Sequence, residues 1–287
     1  MTWRRHSWVT VCSVVLALAG CAQLVQEPIR ICPGKDSAEQ ALSVLNSQAQ
    51  QAVPFRAIGQ CLFEYREKDG SKHKQNIPVS IWLEPPCRMY VQGSVAVDPR
   101  AVVIGSNEDE FWLTVRPKDV SSYYWGEWNE AGYVDDLVVN PKIVLESLGI
   151  LATGEVGVDD PNWTLSTEGA YDVLTCHSDS GRVLKRVYIY NCDYLVRRIE
   201  YYDETGEVSA TAELSGYERL SDGFWVPKRI EIKKRNGTSG TDSIKIRLDS
   251  VKAAKFSEKL RSRIFHRPAP SGFEHVFKVV QGSVIKQ

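Results

Sequence analysis

The chain has 287 residues, 43% of them hydrophobic and 25% charged, a balance that allows a sizeable core in one or two domains and excludes a disordered chain. Its formal net charge is −1, so no general basic field points to nucleic acid, and no nucleic-acid partner is expected.

The N-terminus reads MTWRRHSW, then the apolar run Val9 to Gly20, then Cys21: a positive region, a short apolar stretch and a small-residue cleavage site, the order of an export signal. The run is too short to cross a bilayer, for which a helix needs roughly 20 apolar residues. It closes on Leu18-Ala19-Gly20-Cys21, which resembles the lipobox of bacterial lipoproteins. The resemblance implies that residues 1–20 are cut away, that the Cys21 thiol takes a diacylglycerol, and that the new amine is acylated. A plain signal peptide cut nearby, or an uncleaved anchor, is the alternative. Two or more acyl chains anchor stably, because each buried CH₂ contributes about 0.8 kcal/mol. Ala22, and not aspartate, follows the cysteine, which by resemblance to the enterobacterial sorting rule favours the periplasmic face of the outer membrane. Losing the leader removes Arg4 and Arg5 and leaves 33 basic against 36 acidic residues.

Of seven cysteines, Cys12 leaves with the leader and Cys21 is the expected lipidation site, so Cys32, Cys61, Cys87, Cys176 and Cys192 remain. Export permits disulfides, at most two are expected, and the spacing does not say which cysteines pair. Residues 21–35 hold Pro28 and Pro33 without any period and read as a lipidated tether. Asp36 then reads as the N-cap of an amphipathic helix with Ala38, Ala41, Leu42, Leu45, Ala49 and Ala52 on one stripe.

From there the period falls to two. Strands are predicted over Ala57 to Arg66, Ile77 to Leu83, Arg88 to Val95, Ala101 to Gly105, Glu110 to Val115 and Ser121 to Trp128. Asn140 caps a helix with Pro141 in its first turn that ends at Gly149, and residues 162–169 read as a further helical turn. Strands resume over Tyr171 to His177, Arg182 to Asn191, Tyr194 to Asp203, Glu207 to Tyr217, Phe224 to Lys234 and Ser243 to Ala253. In EVSATAEL the apolar Val208, Ala210, Ala212 and Leu214 oppose Glu207, Ser209, Thr211 and Glu213, so one face is dry and one wet, as in antiparallel sheets. The expected fold is α+β: a single large curved antiparallel sheet of about 11–12 strands, an incomplete barrel, around two or three helices. Residues 36–279 form one domain in this reading, with residues 280–287 as a C-terminal tail.

Catalytic templates are poorly supplied. His73, His177, His266 and His275 stand outside any HExxH pattern, and neither a GxSxG elbow, a P-loop nor a GxGxxG run occurs. No CxxC or Cys/His cluster suggests zinc. The carboxylate runs Glu108-Asp109-Glu110, Asp135-Asp136 and Asp159-Asp160 read as hydrated turns, and Asp203-Glu204-Thr205-Gly206 as a hairpin turn. Neither catalytic residue, metal nor cofactor is expected, and the chain is not read as an enzyme. The basic stretches Lys233 to Gly237 and Lys259 to Arg267 read as solvated segments, with contact to anionic lipid headgroups as the alternative.

Several short runs, in this order, resemble one family: IWLEPPCRMYV (Ile81 to Val91), VVIGSNEDEFWLTVRPKDVSSYYW (Val102 to Trp125), LKRVYIYNCDYLVRRIEYYDETGEVSATAEL (Leu184 to Leu214) and FHRPAPSGFEHV (Phe265 to Val276). With the opening helix, the two meanders and the helix between them, they are similar to LolA and LolB, the carrier and the lipid-anchored receptor of periplasmic lipoprotein localisation. The resemblance implies an incomplete barrel whose apolar cavity receives acyl chains. It departs at Pro85, which stands where the carrier has a latch arginine, with Arg88 three residues on.

Candidate ligand-facing residues are Met89, Val91, Phe111, Leu113, Val115, Tyr123 and Trp125. The phase Phe111, Leu113, Val115 is expected inward and Trp112 outward; in SYYWGEW, Tyr123 and Trp125 share one face and Tyr124 and Trp128 the other, with the cavity face unassigned. The expected function is a monomeric, lipid-anchored periplasmic protein that binds or relays a hydrophobic ligand, either lipoprotein acyl chains or another lipid. The alternative is a non-catalytic envelope scaffold holding a protein partner on the same sheet.

Overall fold

The computed structural model describes residues 30–66, 71–95, 98–117, 120–131, 140–150, 162–221, 223–236, 240–280 and 282–287. Cys21 and its lipobox, most of the tether at 21–35, Asp135-Asp136, Asp159-Asp160, and Gly237 of the first basic stretch lie outside those residues.

Helix α1 (Ala38–Gln50) is capped one residue later than expected, by Ser37 and not Asp36. Ser37 is extended and its hydroxyl accepts from Gln40 N at 3.3 Å, while Asp36 N donates to Gln40 Oε1, so the serine takes the capping role. Six antiparallel strands follow: β1 (Phe55–Arg66), β2 (Lys72–Glu84), β3 (Arg88–Val95), β4 (Asp98–Ser106), β5 (Glu110–Val115) and β6 (Ser122–Glu127). After the single turn α2 (Trp128–Ala131) comes α3 (Pro141–Ser147), capped as expected by Asn140, whose side chain accepts from Lys142 N at 2.9 Å. Gly149 ends it with φ +91°, a left-handed conformation that a side chain would strain.

The second meander is β7 (Asn162–Glu168), β8 (Tyr171–His177), β9 (Val183–Tyr190), β10 (Val196–Tyr202), β11 (Val208–Ser221), β12 (Phe224–Asn236) and β13 (Gly240–Ala253). Then come α4 (Glu258–Ile264), β14 (His275–Val280) and β15 (Ser283–Lys286). All fifteen described strands form one sheet in the order β15-β14-β6-β5-β4-β3-β2-β1-β13-β12-β11-β10-β9-β8-β7, unclosed, with β15 and β7 at its edges. The two meanders join where β1 pairs with β13, and only the pairing of β14 with β6 is parallel.

The α+β curved-sheet reading therefore holds, with more strands than expected. Residues 162–169 are strand β7 and not a helical turn: they pair with β8 from Asn162↔His177 to Glu168↔Tyr171. Trp163 and Leu165 alternate toward the core, a period of two that a helical turn cannot give. The basic stretch at 259–267 is not a solvated segment. It supplies most of α4 and buries Ile264 and Phe265. The sheet continues through β15 into the stretch expected as a tail.

The two faces of the sheet carry different loads. On the inner face, Ala41 and Leu45 of α1 and Ile143, Val144, Leu145 and Leu148 at α3 share one apolar core with the inward residues of the strands. Each such leucine, isoleucine or valine side chain, fully buried, contributes roughly 1.5–3 kcal/mol. On the outer face, Phe256, Ile264 and Phe265 pack with Trp82 and Tyr90 in a second cluster, so the chain between β13 and β14 straps the back of the first meander. Arg261 of α4 forks onto Glu84 at 2.6 and 3.0 Å and fastens that strap. Among the described residues no helix is long and apolar enough to cross a membrane.

Candidate functional site

Met89, Val91, Phe111 and Leu113 are all buried in the inner core, and Val115 packs against it, so these five lie on the helix-bearing face. Tyr123 and Trp125 do not. The register pairs Leu113 with Tyr124, Trp112 with Trp125 and Thr114 with Tyr123, and paired residues of an antiparallel ladder share a face. Tyr124 and Trp128 therefore look inward with Leu113 and Phe111, while Tyr123 and Trp125 look outward with Trp112.

Their outward side is nevertheless dry. Tyr123 is fully buried, its hydroxyl donates to Pro268 O at 2.6 Å, and its ring meets Phe273 at 5.3 Å. The Arg267 guanidinium stacks 4.1 Å over Trp125 and bonds Glu110. Trp112, outward as expected, is also wholly buried and lies where a Cβ on Gly105 would come within 2.2 Å, which is why a glycine faces it. This aromatic strand is the seat of the C-terminal strap. Grouping Tyr123 and Trp125 with the inward residues is thus corrected: an alternation that leaves both faces aromatic cannot say which of them a distant segment covers.

The inner face holds one polar anchor that the sequence reading missed. Glu146 of α3 accepts from Lys185 Nζ on β9 at 3.0 Å and from Tyr201 Oη on β10 at 2.6 Å, with both charged side chains at most 2% exposed. The lysine also lies 5.5 Å from the Trp163 ring centroid. Such a pair is costly to desolvate and costs more to break than to replace, because removing one partner strands the other charge. A signal was present: Lys185 shares the strand phase of Val187 and Ile189, and Glu146 follows Ile143 by three on a helix.

Among the described residues, one pocket beside α3 is small. A pocket of about 40 Å³ lies between α1, the end of α3 and the second meander, lined by Leu45, Ala49, Glu146, Leu214, Tyr217 and Phe224. That is little more than the share of one water molecule, about 30 Å³.

The first described residues are clamped to the far end of the second meander. Cys32 is bonded to Cys192, the Asn191 amide donates to Cys32 O, and Lys35 N donates to Asp172 Oδ2 at 2.8 Å. Tyr194 donates to the same oxygen at 3.2 Å, and burial first, with the Asp172 charge after it, pushes its phenol well above the ordinary range. Gly34 rests directly on Asp172, where a Cβ would stand 2.1 Å from Oδ1. Cys61 and Cys87 are free thiols.

Arg88, near the position where the carrier has its latch, ion-pairs with Glu84 at 3.2 Å and Glu108 at 2.6 Å, and Glu84 belongs to the strap side. Among the described residues no group of three His, Cys, Asp or Glu side chains could hold a metal ion.

These features define a class: an unclosed, mostly antiparallel half-barrel with its helices on the apolar face. Two solved structures share it. An outer membrane lipoprotein-sorting protein domain from Vibrio parahaemolyticus superposes with a TM-score of 0.54 at 12% identity, covering 80% of this chain and 99% of that one. A DUF1329 family protein from Desulfovibrio piger gives 0.53 at 10% identity, covering 81% and 98%. No protein-family model and no curated protein matches the sequence. At this identity the likeness establishes the shared fold alone.

Proposed function

We propose that this chain is a lipoprotein of the bacterial envelope, acylated at Cys21 and held on the periplasmic face of the outer membrane, that binds or relays a hydrophobic ligand without catalysis. The observation that carries this reading is the unclosed sheet whose apolar inner face is covered by two short helices, α1 and α3. Acyl chains of a lipoprotein, or of another lipid, fit that chemistry, since apolar surface leaves water at about 25 cal/mol per Å² with no polar recognition. The shared fold of a lipoprotein-sorting domain supports the same direction. Met89, Val91, Phe111, Leu113 and Val115 are the inner-face residues that an acyl chain meets in this reading.

Mass spectrometry of the protein purified in neutral detergent tests this. Expected is a co-purifying acyl lipid beyond the chains on Cys21, lost when Leu113→Glu puts a charge on the inner face. A protein that carries no such lipid, and takes up none from added phospholipid, overturns the reading. A second reading, an envelope scaffold, is favoured by the edge strands β7 and β15, each paired on one side only. Crosslinking that recovers one stoichiometric protein partner in place of lipid selects it.

A further inference from the structure

Beyond the strap, the outer face where the two meanders join is left uncovered by the described residues. Across β2, β1, β13, β12 and β11 it forms an open groove of about 630 Å³ with Lys74, Glu213, Glu231 and Lys245 among its lining side chains. Most of its charges are locally answered. Lys245 reaches Glu231 at 3.3 Å, Lys233 reaches Glu213 at 3.6 Å and Glu231 at 3.5 Å, and Lys74 holds Glu64 at 2.8 Å.

One row is different. In register across the groove stand Gln60, Arg247, Arg229 and Ser215, so that two arginines face each other directly on neighbouring strands. Directly opposed residues have Cβ atoms about 4.5–5.5 Å apart, and like charges there destabilise a sheet. The nearby carboxylates do not relieve the pair, because Glu213 and Glu231 are engaged by lysines of the next rows. Arg247 has Asp249 at 3.3 Å on its own strand, and among the described residues no carboxylate lies within ion-pair distance of Arg229. The flanking Gln60 and Ser215 are neutral groups able to donate hydrogen bonds.

We propose that Arg229 and Arg247, with Gln60 and Ser215 beside them, form an oxyanion site whose ligand is a phosphate group. Two guanidiniums at cross-strand distance present forked donors that match the oxygens of a phosphate, and a bound anion removes the repulsion that the register builds in. The phosphate is either free or the headgroup of an anionic lipid. The site lies on the face opposite the one proposed for acyl chains, so the two readings fail independently.

The full chain in neutral detergent is titrated calorimetrically with inorganic phosphate and, separately, with dihexanoyl phosphatidylglycerol. Binding is expected, weakened roughly tenfold or more by Arg229→Gln or Arg247→Gln, as for loss of a hydrogen bond to a charged group. Without ligand, each substitution is expected to raise Tm, because it removes half of a like-charged pair; a merely structural arginine would lower it. Lys72→Gln, on β2 outside the groove, leaves binding unchanged. Binding of both probes assigns the site to phosphate in general, and binding of the lipid alone assigns it to a headgroup. Absence of binding by either probe overturns the proposal, as does an equal loss in Lys72→Gln or binding indifferent to both arginine substitutions.

Discussion

Glu146 shows how much a single side chain decides here. Its two carboxylate oxygens are taken by Lys185 and Tyr201 from different strands, so α3 is held by charge where its other buried contacts are apolar and without direction. Lys185→Met leaves the carboxylate buried without its cation and is expected to cost about 3–5 kcal/mol in urea unfolding at neutral pH, whereas adding Glu146→Leu recovers most of the loss. A single-mutant cost below about 1 kcal/mol would show that the pair does not anchor the helix. Thiols set a second residue-scale effect. Burial pushes Cys61 from 9.0 to about 12, and burial followed by the Glu108 charge pushes Cys87 to about 11. A raised thiol binds its proton more tightly folded than unfolded, so this stability is complete below pH 9.0 and lost as pH rises through about 11 and 12. Tm followed from pH 8 to 11 is expected to fall above about pH 9, less steeply in Cys61→Ala measured against its own neutral value. A flat profile contradicts the burial of these thiols.

At the scale of elements, the structure depends on two straps of opposite kind. The C-terminal one lies on the outer face through Arg261 on Glu84 and Tyr123 on Pro268, and delivers β14 to a parallel pairing beside β6. The N-terminal one is the clamp of Cys32 on Cys192, which join across a separation of 160 residues. In the chain-entropy account a loop that long limits the unfolded state by about 5 kcal/mol, an upper figure for the native bond. Cys32→Ser with Cys192→Ser is therefore expected to lower the denaturant midpoint by an amount equivalent to several kcal/mol, and reductant is expected to do the same to the natural chain. Equal midpoints with and without reductant would mean that the clamp stabilises nothing. Element identities were largely readable from sequence: α3 appears with its Asn140 cap and Pro141, and EVSATAEL buries Ala210, Ala212 and Leu214 as expected, while a register shift at Tyr202 leaves Val208 exposed and Ser209 buried. The failure at residues 162–169 came where a short alternation, Trp163 and Leu165, was read as a helical turn.

For the whole molecule, one sheet separates two environments. Its inner face is the apolar bed beneath α1 and α3, and its outer face is strapped along the first meander and open and charged along the second. The proposed acyl and phosphate sites thus lie on opposite sides of the same strands. β12 and β13 contribute Ile230 and Ile246 to one face and Arg229 and Arg247 to the other. The period of two makes that arrangement possible with no extra element.

The sequence by itself determined the local pieces: the strand phases, the helix between the meanders, the glycine at its end, and the α+β curved-sheet class. These follow from side-chain periodicity and capping, which act over a few residues. Only the tertiary structure decided that β1 meets β13, that Cys32 meets Cys192, that Lys185 meets Glu146, and that Arg229 faces Arg247. It also decided which rings of SYYWGEW look inward, because both phases are aromatic and only the strap from the far end of the chain distinguishes them. Such pairings join residues far apart in sequence, and register across a sheet depends on the packing of the whole face.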